Sequence, residues 1–190
     1  MRIPLSWLKD YVEITISPHE LARELTFAGL EVEAIEYIGL PKQKGKLLET
    51  KISGLEWDRE TIVVGDILEV NPHPNADRLV LAQLDDGCQI HTVLTGAPNL
   101  LQYRGSGPLE EPIKVAYARA GAVIYDGRKS GQELMTLTPA TIRGVESYSM
   151  ACSEKELGIS DEHDVVIILD DSAPVAGTPL ADHIGDVVLD

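Results

Sequence analysis

Rings are scarce in this sequence. Phe, Trp and Tyr together make up 5% of the residues, with a single Phe, so a core must come mainly from Val, Ile, Leu and Ala. Few rings remain for the broad base-stacking platforms of single-strand binders. Positive charge is scarce as well: the formal net charge is -15, and an acidic surface repels phosphate. That total is uneven, at -3 over residues 1–60, -3 over 61–152 and -9 over 153–190. Long apolar runs are missing, and no apolar signal segment follows Met1, which predicts no membrane span and a cytoplasmic protein. Cys88 and Cys152 are the only cysteines; they read as free thiols, with a disulfide between them as the alternative. His19, His73, His91, His163 and His183 show no ligand spacing with each other or with cysteine, so no structural zinc is predicted.

At 190 residues, with 44% hydrophobic and 25% charged residues, the chain can bury a packed core in one domain or two modest ones. Its start reads as helical. In Ser17-Pro18-His19-Glu20, Ser at the N-cap, Pro at the first helical position and Glu at the third predict a capped helix. Leu21, Leu25 and Ala28 continue it to a stop at Gly29. An earlier short helix is predicted over SWLKDYV, with Ser6 as cap and Trp7, Leu8 and Tyr11 facing inward. GLEVEAIEYIG then alternates as a half-buried strand does.

Forty residues cannot enclose a core by themselves. The far end supplies candidates: DVVIILDD (164–171) as a buried strand, TPLADHIG (178–185) as a short helix and DVVLD as a last strand. Residues 1–40 and 153–190 are therefore expected to join as a small discontinuous α/β domain, with the rest inserted into it. Residues 41–60, containing Lys42, Lys44, Lys46 and Lys51, read as a solvated linker or strand extension, a basic phosphate clamp being the sharper alternative.

The middle, 61–152, is strand after strand. TIVVGDILEV, RLVLAQLD, QIHTVLTG, IKVAYARA and LMTLTPATIRG are β-branched runs separated by Asn, Pro, Asp and Gly punctuation. The expected fold is mainly β with an α+β part: a five-stranded OB-type barrel inserted into the discontinuous α/β domain. Such barrels commonly bind oligonucleotides, although fold alone does not establish function.

Three segments, NPHPNADRL (71–79), TGAPNL (95–100) and RGVESYSMACSEKELGI (143–159), resemble successive signatures of the tRNA-binding barrel found in several aminoacyl-tRNA synthetases. Together with the opening RIPLSWLKDYVEITISPHELARELTFAGLEVEAIE, they resemble in order and spacing the N-terminal region of the bacterial-type phenylalanyl-tRNA synthetase beta subunit. The resemblance implies a tRNA-binding barrel at the front of a subunit that joins a catalytic alpha subunit in an α2β2 ligase. That ligase charges tRNA with phenylalanine using ATP and Mg2+, so no cofactor is expected in this chain itself. In the family the beta subunit continues into an editing module and a catalytic-like core. This chain stops before both, and a truncated or reduced member without ligase or editing activity of its own is expected.

The motif residues have physical roles on this reading. Prolines hold the NPHPNADRL corner stiff, so that Asn75, Asp77 and Arg78 are presented with little entropy left to lose. Arg78 suits phosphate through its forked donors, and Asp77 suits a ribose 2'-hydroxyl or the orientation of Arg78. A stiff loop capping its own backbone is the plainer alternative. Ala97 is small enough for close backbone approach, and Asn99 both donates and accepts. Ser147, Met150 and Ser153 match the family's Ser, Met and Ser positions and are binding candidates by that resemblance, Met150 against a base or ribose face. For Met150 the alternative is a core filler, and for Cys152 a small buried thiol. Arg143 reads as a phosphate contact or a partner for Glu146. Weak, salt-sensitive binding to the folded shape of tRNA is expected. No triad, metal cluster or phosphate-cradling loop competes. The remaining alternatives are a structural assembly module of the synthetase and a free-standing tRNA-binding protein.

Overall fold

The computed structural model describes residues 1–43 and 50–190, so Lys44 and Lys46 of the lysine-rich segment lie outside the described residues. In chain order the elements begin with β1 (Ile3–Pro4), α1 (Leu5–Lys9), α2 (Pro18–Phe27), β2 (Ala34–Gly39) and β3 (Lys51–Glu56). Next come β4 (Ile62–His73), β5 (Ala76–Asp85), β6 (Ile90–Thr95), α3 (Pro98–Leu101) and β7 (Pro108–Ala118). The remainder is β8 (Val123–Tyr125), β9 (Leu134–Thr136), β10 (Ala140–Ile142), β11 (Val145–Ser147), β12 (Met150–Ala151), α4 (Glu154–Leu157), α5 (Ala181–Ile184) and β13 (Asp186–Leu189). The fold is mainly β, built on a five-stranded antiparallel sheet with an α/β part beside it.

Helix α2 forms as its cap dictates. The Ser17 amide donates to Glu20 Oε2 (3.0 Å), and the Glu20 amide donates back to Ser17 Oγ (3.2 Å), which satisfies two orphan donors at once. Gly29 takes φ +92° and ends the helix, and the Leu30 amide reaches back to the Leu25 carbonyl. Helix α1 departs from expectation. Ser6 does not cap it; its hydroxyl and amide are both taken by Asp186 of β13. That anchor turns Leu5 inward and leaves Trp7 (52% exposed) and Tyr11 (73%) outside, packed edge to face on one another at 5.1 Å.

The four-stranded sheet has the order β1-β13-β2-β3, with β2 and β3 parallel and the other pairs antiparallel. Both chain ends therefore share it, and β3 extends it with residues from the segment read as a linker or strand extension. Period-2 alternation gives the sheet two faces. Ile35, Tyr37, Val187 and Leu189 pack under α1 and α2, whereas Ile38, Leu55 and Val188 pack toward the barrel.

The five-stranded sheet has the order β12-β7-β4-β5-β6. Strand β4 is its spine, pairing with both β7 and β5, with register shifts at 67–69 and 72–73; such bulges increase local bend and twist. Val63, Ile67, Val70, Val80, Leu84, Val93 and Val115 fill the interior. The run LMTLTPATIRG does not supply the fifth strand as expected. It divides into β9, paired with β8, and β10, paired with β11, because Pro139 removes a ladder donor in its middle and Arg143-Gly144 turns the chain. The two-residue β12 takes the fifth place. Residues 164–171 are likewise no buried strand. They run along β7 with an isolated Val115–Ile168 bridge, Val166 inside and Val165 and Ile168 outside; the Ala116 amide donates to the Ile167 carbonyl (3.1 Å), the Ile167 amide to the Cys152 carbonyl (2.9 Å) and the Leu169 amide to the Lys114 carbonyl (2.8 Å). Cys88 is exposed, Cys152 is buried and both are free thiols; burial pushes the Cys152 thiol well up. Among the described residues no helix is long and apolar enough to cross a membrane.

Candidate nucleic-acid interface

The β4–β5 hairpin closes in two residues, since His73 lies opposite Ala76. Pro74 and Asn75 make the corner, and the Asn75 amide donates to His73 Nδ1 at 3.0 Å while the His73 ring is buried beneath it. The stiffness of this motif is thus that of a hairpin tip braced by its own histidine. Asn75, Asp77 and Arg78 all stand exposed around it. The segment after β6 comes up beside the tip: Arg104 Nη1 donates to the Asp77 carbonyl (2.6 Å), and the Gly105 amide donates to the Val70 carbonyl (2.8 Å). A Cβ on Gly96 would meet Leu79 Cδ2 at 3.2 Å and the Arg78 carbonyl at 3.5 Å, so β5 and the 96–97 turn nearly touch.

The other residues predicted from the sequence are distributed differently. Ala97 is buried and leads into α3, its amide donating to Thr95 Oγ1 (3.1 Å). Asn99 spends its amide group on the chain: Nδ2 donates to the Val166 carbonyl (2.8 Å), and the Val166 amide donates to Oδ1 (3.2 Å). Ser147, 7% exposed, accepts from the Leu94 amide (3.0 Å) and donates to the Ser149 carbonyl (3.1 Å). Its hydroxyl bridges β6 to the chain that closes the barrel and does not face solvent. Ser153, 3% exposed, donates to Glu156 Oε2 (2.8 Å) as the cap of α4. Met150 is half-buried and lines an open groove of about 330 Å³ with Thr95, Ala97, Ser153, Glu156 and His163. The structure therefore brings Asn75, Asp77 and Arg78 together on an exposed rim and Ala97, Met150 and Ser153 together in a groove. Asn99 and Ser147 are tied into the backbone. Burial outweighs the Ser153 hydrogen bonds and raises the Glu156 carboxyl above its ordinary range, which favours its neutral form; Asp164 also lines the groove.

Charge pairing distinguishes the arginines. Arg2, Arg23, Arg59, Arg119 and Arg128 each sit against a carboxylate: Glu36, Glu24, Asp182, Asp86 and Asp126 respectively. Arg78, Arg104 and Arg143 form no ion pair among the described residues. Sequence reading missed Arg104, because nothing local marks a residue whose partner is the Asp77 backbone.

It also missed a charged cluster on the β5–β6 turn, where Asp85-Asp86-Gly87 read only as punctuation. Asp86 is 3% exposed; its carboxylate accepts from the Cys88 and Gln89 amides (2.9 Å each) and from Arg119 Nε (2.9 Å), with His91 Nε2 at 3.3 Å. Burial opposes ionisation, but the Gln89 and Cys88 amides and the Arg119 guanidinium outweigh it and hold the carboxyl below its ordinary value. A lowered carboxyl contributes stability that is present above its unfolded pKa and lost as pH falls through the folded one. Urea unfolding should accordingly show the wild type losing stability below about pH 4 more steeply than Asp86→Asn. Equal acid limbs would remove Asp86 as the cause.

No family model matches the chain. It is 45% identical over 190 residues to a phenylalanine--tRNA ligase beta subunit from Dehalococcoides mccartyi, covering 100% of this chain and 20% of the relative. Beta subunits from Protochlamydia amoebophila and Chlorobaculum tepidum are 40% and 38% identical, again over 100% of this chain and 20% of theirs. The chain thus spans about a fifth of the length of these curated relatives. Among solved structures, a MetRS-related protein from Pyrococcus horikoshii superposes with a TM-score of 0.41 at 19% identity, covering 63% of this chain and 87% of that one.

Proposed function

The chain belongs to the phenylalanine--tRNA ligase beta-subunit family, as its N-terminal region, and on that premise we propose that it contributes a tRNA-contacting rim to the ligase. In this reading the subunit works with an alpha subunit in an α2β2 assembly. The alpha subunit handles phenylalanine, ATP and Mg2+, and the present chain holds tRNA without catalysing or editing. The observation that carries the proposal is the rim itself. In a chain of net charge -15, exposed Arg78 and Arg104 flank one hairpin tip with no carboxylate partner among the described residues. Guanidinium forks match phosphate oxygens, and Asn75 and Asp77 add groups able to meet ribose hydroxyls. The groove beside Met150 suits an uncharged base or ribose face, since among the described residues it offers no arginine or lysine and Asp164 lines it.

Filter binding of a tRNA transcript at low salt tests this. Arg78→Ala is expected to weaken affinity about five- to tenfold and to reduce the salt slope by about 1. Unchanged affinity and slope would remove the rim from the reading.

A second reading, assembly, is favoured by the outer helical layer. Trp7, Tyr11 and Val12 at α1 and Phe27 and Leu30 at the end of α2 are all exposed there, Trp7 and Tyr11 packed on one another, and exposed apolar patches mark protein contacts. If assembly is the whole role, Arg78→Ala leaves tRNA affinity intact while charged substitutions at Trp7 and Phe27 impair association with the alpha subunit.

A further inference from the structure

We propose that the β10–β11 ribbon is a second phosphate-gripping arm of this interface, with Arg143 as its contact. An RNA backbone would then lie across the end of β6, between Arg143 on one side and Arg78 on the other. The inference rests on the tRNA-binding reading above and adds a site to it.

The ribbon is exposed along most of its length: Ala140, Thr141, Ile142, Arg143, Gly144 and Glu146 all face solvent, and the pair stands outside the five-stranded sheet. Two strands alone are marginally stable in water at best. This pair is held at its base. The Leu94 amide donates to Ser147 Oγ (3.0 Å), the Tyr148 amide donates to the Thr92 carbonyl (3.3 Å), and the Tyr148 ring stacks on His91 with centroids 4.0 Å apart and planes 2° from parallel. A firm base and a bare tip are what an arm requires.

The tip does not explain its own arginine. Ile142 pairs with Val145, leaving Arg143-Gly144 as a two-residue turn with both φ angles positive, 49° and 86°. Such a turn favours Asn, Asp or Gly at its first position. Arg143 is the one non-glycine residue with positive φ among the described residues, and a Cβ is strained there. An ion pair does not account for it either. Glu146 stands on the same arm opposite Thr141, yet Arg143 forms no bond to it or to any other carboxylate among the described residues.

Direction supplies the ligand geometry. Ser147 meets Leu94 and Tyr148 meets Thr92, so the chain there runs antiparallel to β6, and tracing it back from Ser147 to Arg143 leads toward the Gly96 end. On the opposite side of β6, Val80 pairs with Thr95, so Arg78 extends past that same end. Two guanidinium groups free of carboxylates thus flank one strand end. A polyanion with repeating phosphates is the ligand chemistry that engages both.

The test measures binding of an unmodified tRNA transcript to the 190-residue chain between 50 and 200 mM salt, together with thermal unfolding. Arg143→Asn removes the charge while suiting the left-handed turn. Affinity should fall about fivefold or more and the salt slope by about 1, with melting unchanged or raised. Arg143→Lys, which keeps charge without the fork, should fall between the two. Wild-type affinity in Arg143→Asn alongside weakened Arg78→Ala would overturn the arm and leave the rim standing. Lost binding accompanied by lowered melting would assign Arg143 to ribbon stability and overturn it as well. No binding by the wild-type chain at 50 mM salt would remove arm and rim together.

Discussion

Gly54→Ala is expected to destabilise the protein by about 3 kcal/mol or more, a fall in melting temperature on the order of 10 °C for a chain of this size. Gly54 lies opposite Tyr37 in the parallel β2–β3 ladder. Its φ is +114°, and a Cβ there would sit 1.9 Å from the Tyr37 carbonyl oxygen and 2.7 Å from the Tyr37 carbonyl carbon and amide nitrogen. All three are backbone atoms, so no rotamer change relieves the contact and the two strands must separate. Gly105→Ala provides the control. Its φ is +74°, with nothing within 4 Å of the added carbon, so only the backbone strain of about 1–2 kcal/mol remains. Calorimetry that found equal losses at the two positions would show that dihedral strain, and not strand approach, governs Gly54.

The second large effect is expected at Trp57, which is 2% exposed where the two sheets share a core. A Cβ on Gly39 would lie 2.4 Å from Trp57 Cε3, so the ring is pressed onto the β2 backbone. Its Nε1–H donates to the Leu157 carbonyl at 3.0 Å. Around it, Ile38, Leu55 and Val188 come from the four-stranded sheet, and Ile62, Val64 and Ala118 from the barrel. Trp57→Ala should cost about 3–5 kcal/mol and separate denaturant unfolding into two transitions as the shared core opens. Trp57→Phe keeps most of the ring but leaves the Leu157 carbonyl without its donor, for a loss of about 1–3 kcal/mol. A single wild-type-like transition in Trp57→Ala would show that the two sheets are held together elsewhere.

The same residues indicate how far the sequence could be read. Helix α2 was legible because its determinants lie within a few positions of one another: Ser17, Pro18 and Glu20 cap what they begin, and Gly29 ends it. Helix α1 was misread at Ser6, Trp7 and Tyr11, since what orients it is Asp186, far away in sequence. The fifth barrel strand was sought in the run containing Pro139 and found at Met150–Ala151, whose two residues carry no periodicity to recognise. On the candidate site, a polar corner at Asn75, Asp77 and Arg78 was visible in its Pro-Asn chemistry. The Ser147 hydroxyl gave no sign of being spent inside the protein, whereas Ser153 heads a Ser-x-x-Glu capping pattern like that of Ser17 and is used as that cap.

Local order and kinship were set by the sequence alone: where helix α2 starts and stops, which stretches alternate as strands, where the hairpin turns and which family the motifs resemble. Each depends on neighbours a few bonds away or on a pattern of letters. Tertiary structure decided which arginines meet a carboxylate distant in sequence and which, among the described residues, meet none, that the Ser147 hydroxyl bridges to β6, and that Arg78 and Arg143 flank the same strand end. Several of those outcomes, such as Arg59 with Asp182, Arg119 with Asp86 and Ser147 with Leu94, turn on partners dozens of residues distant, and a charge or hydroxyl acquires its role from what the fold places within about 3 Å of it.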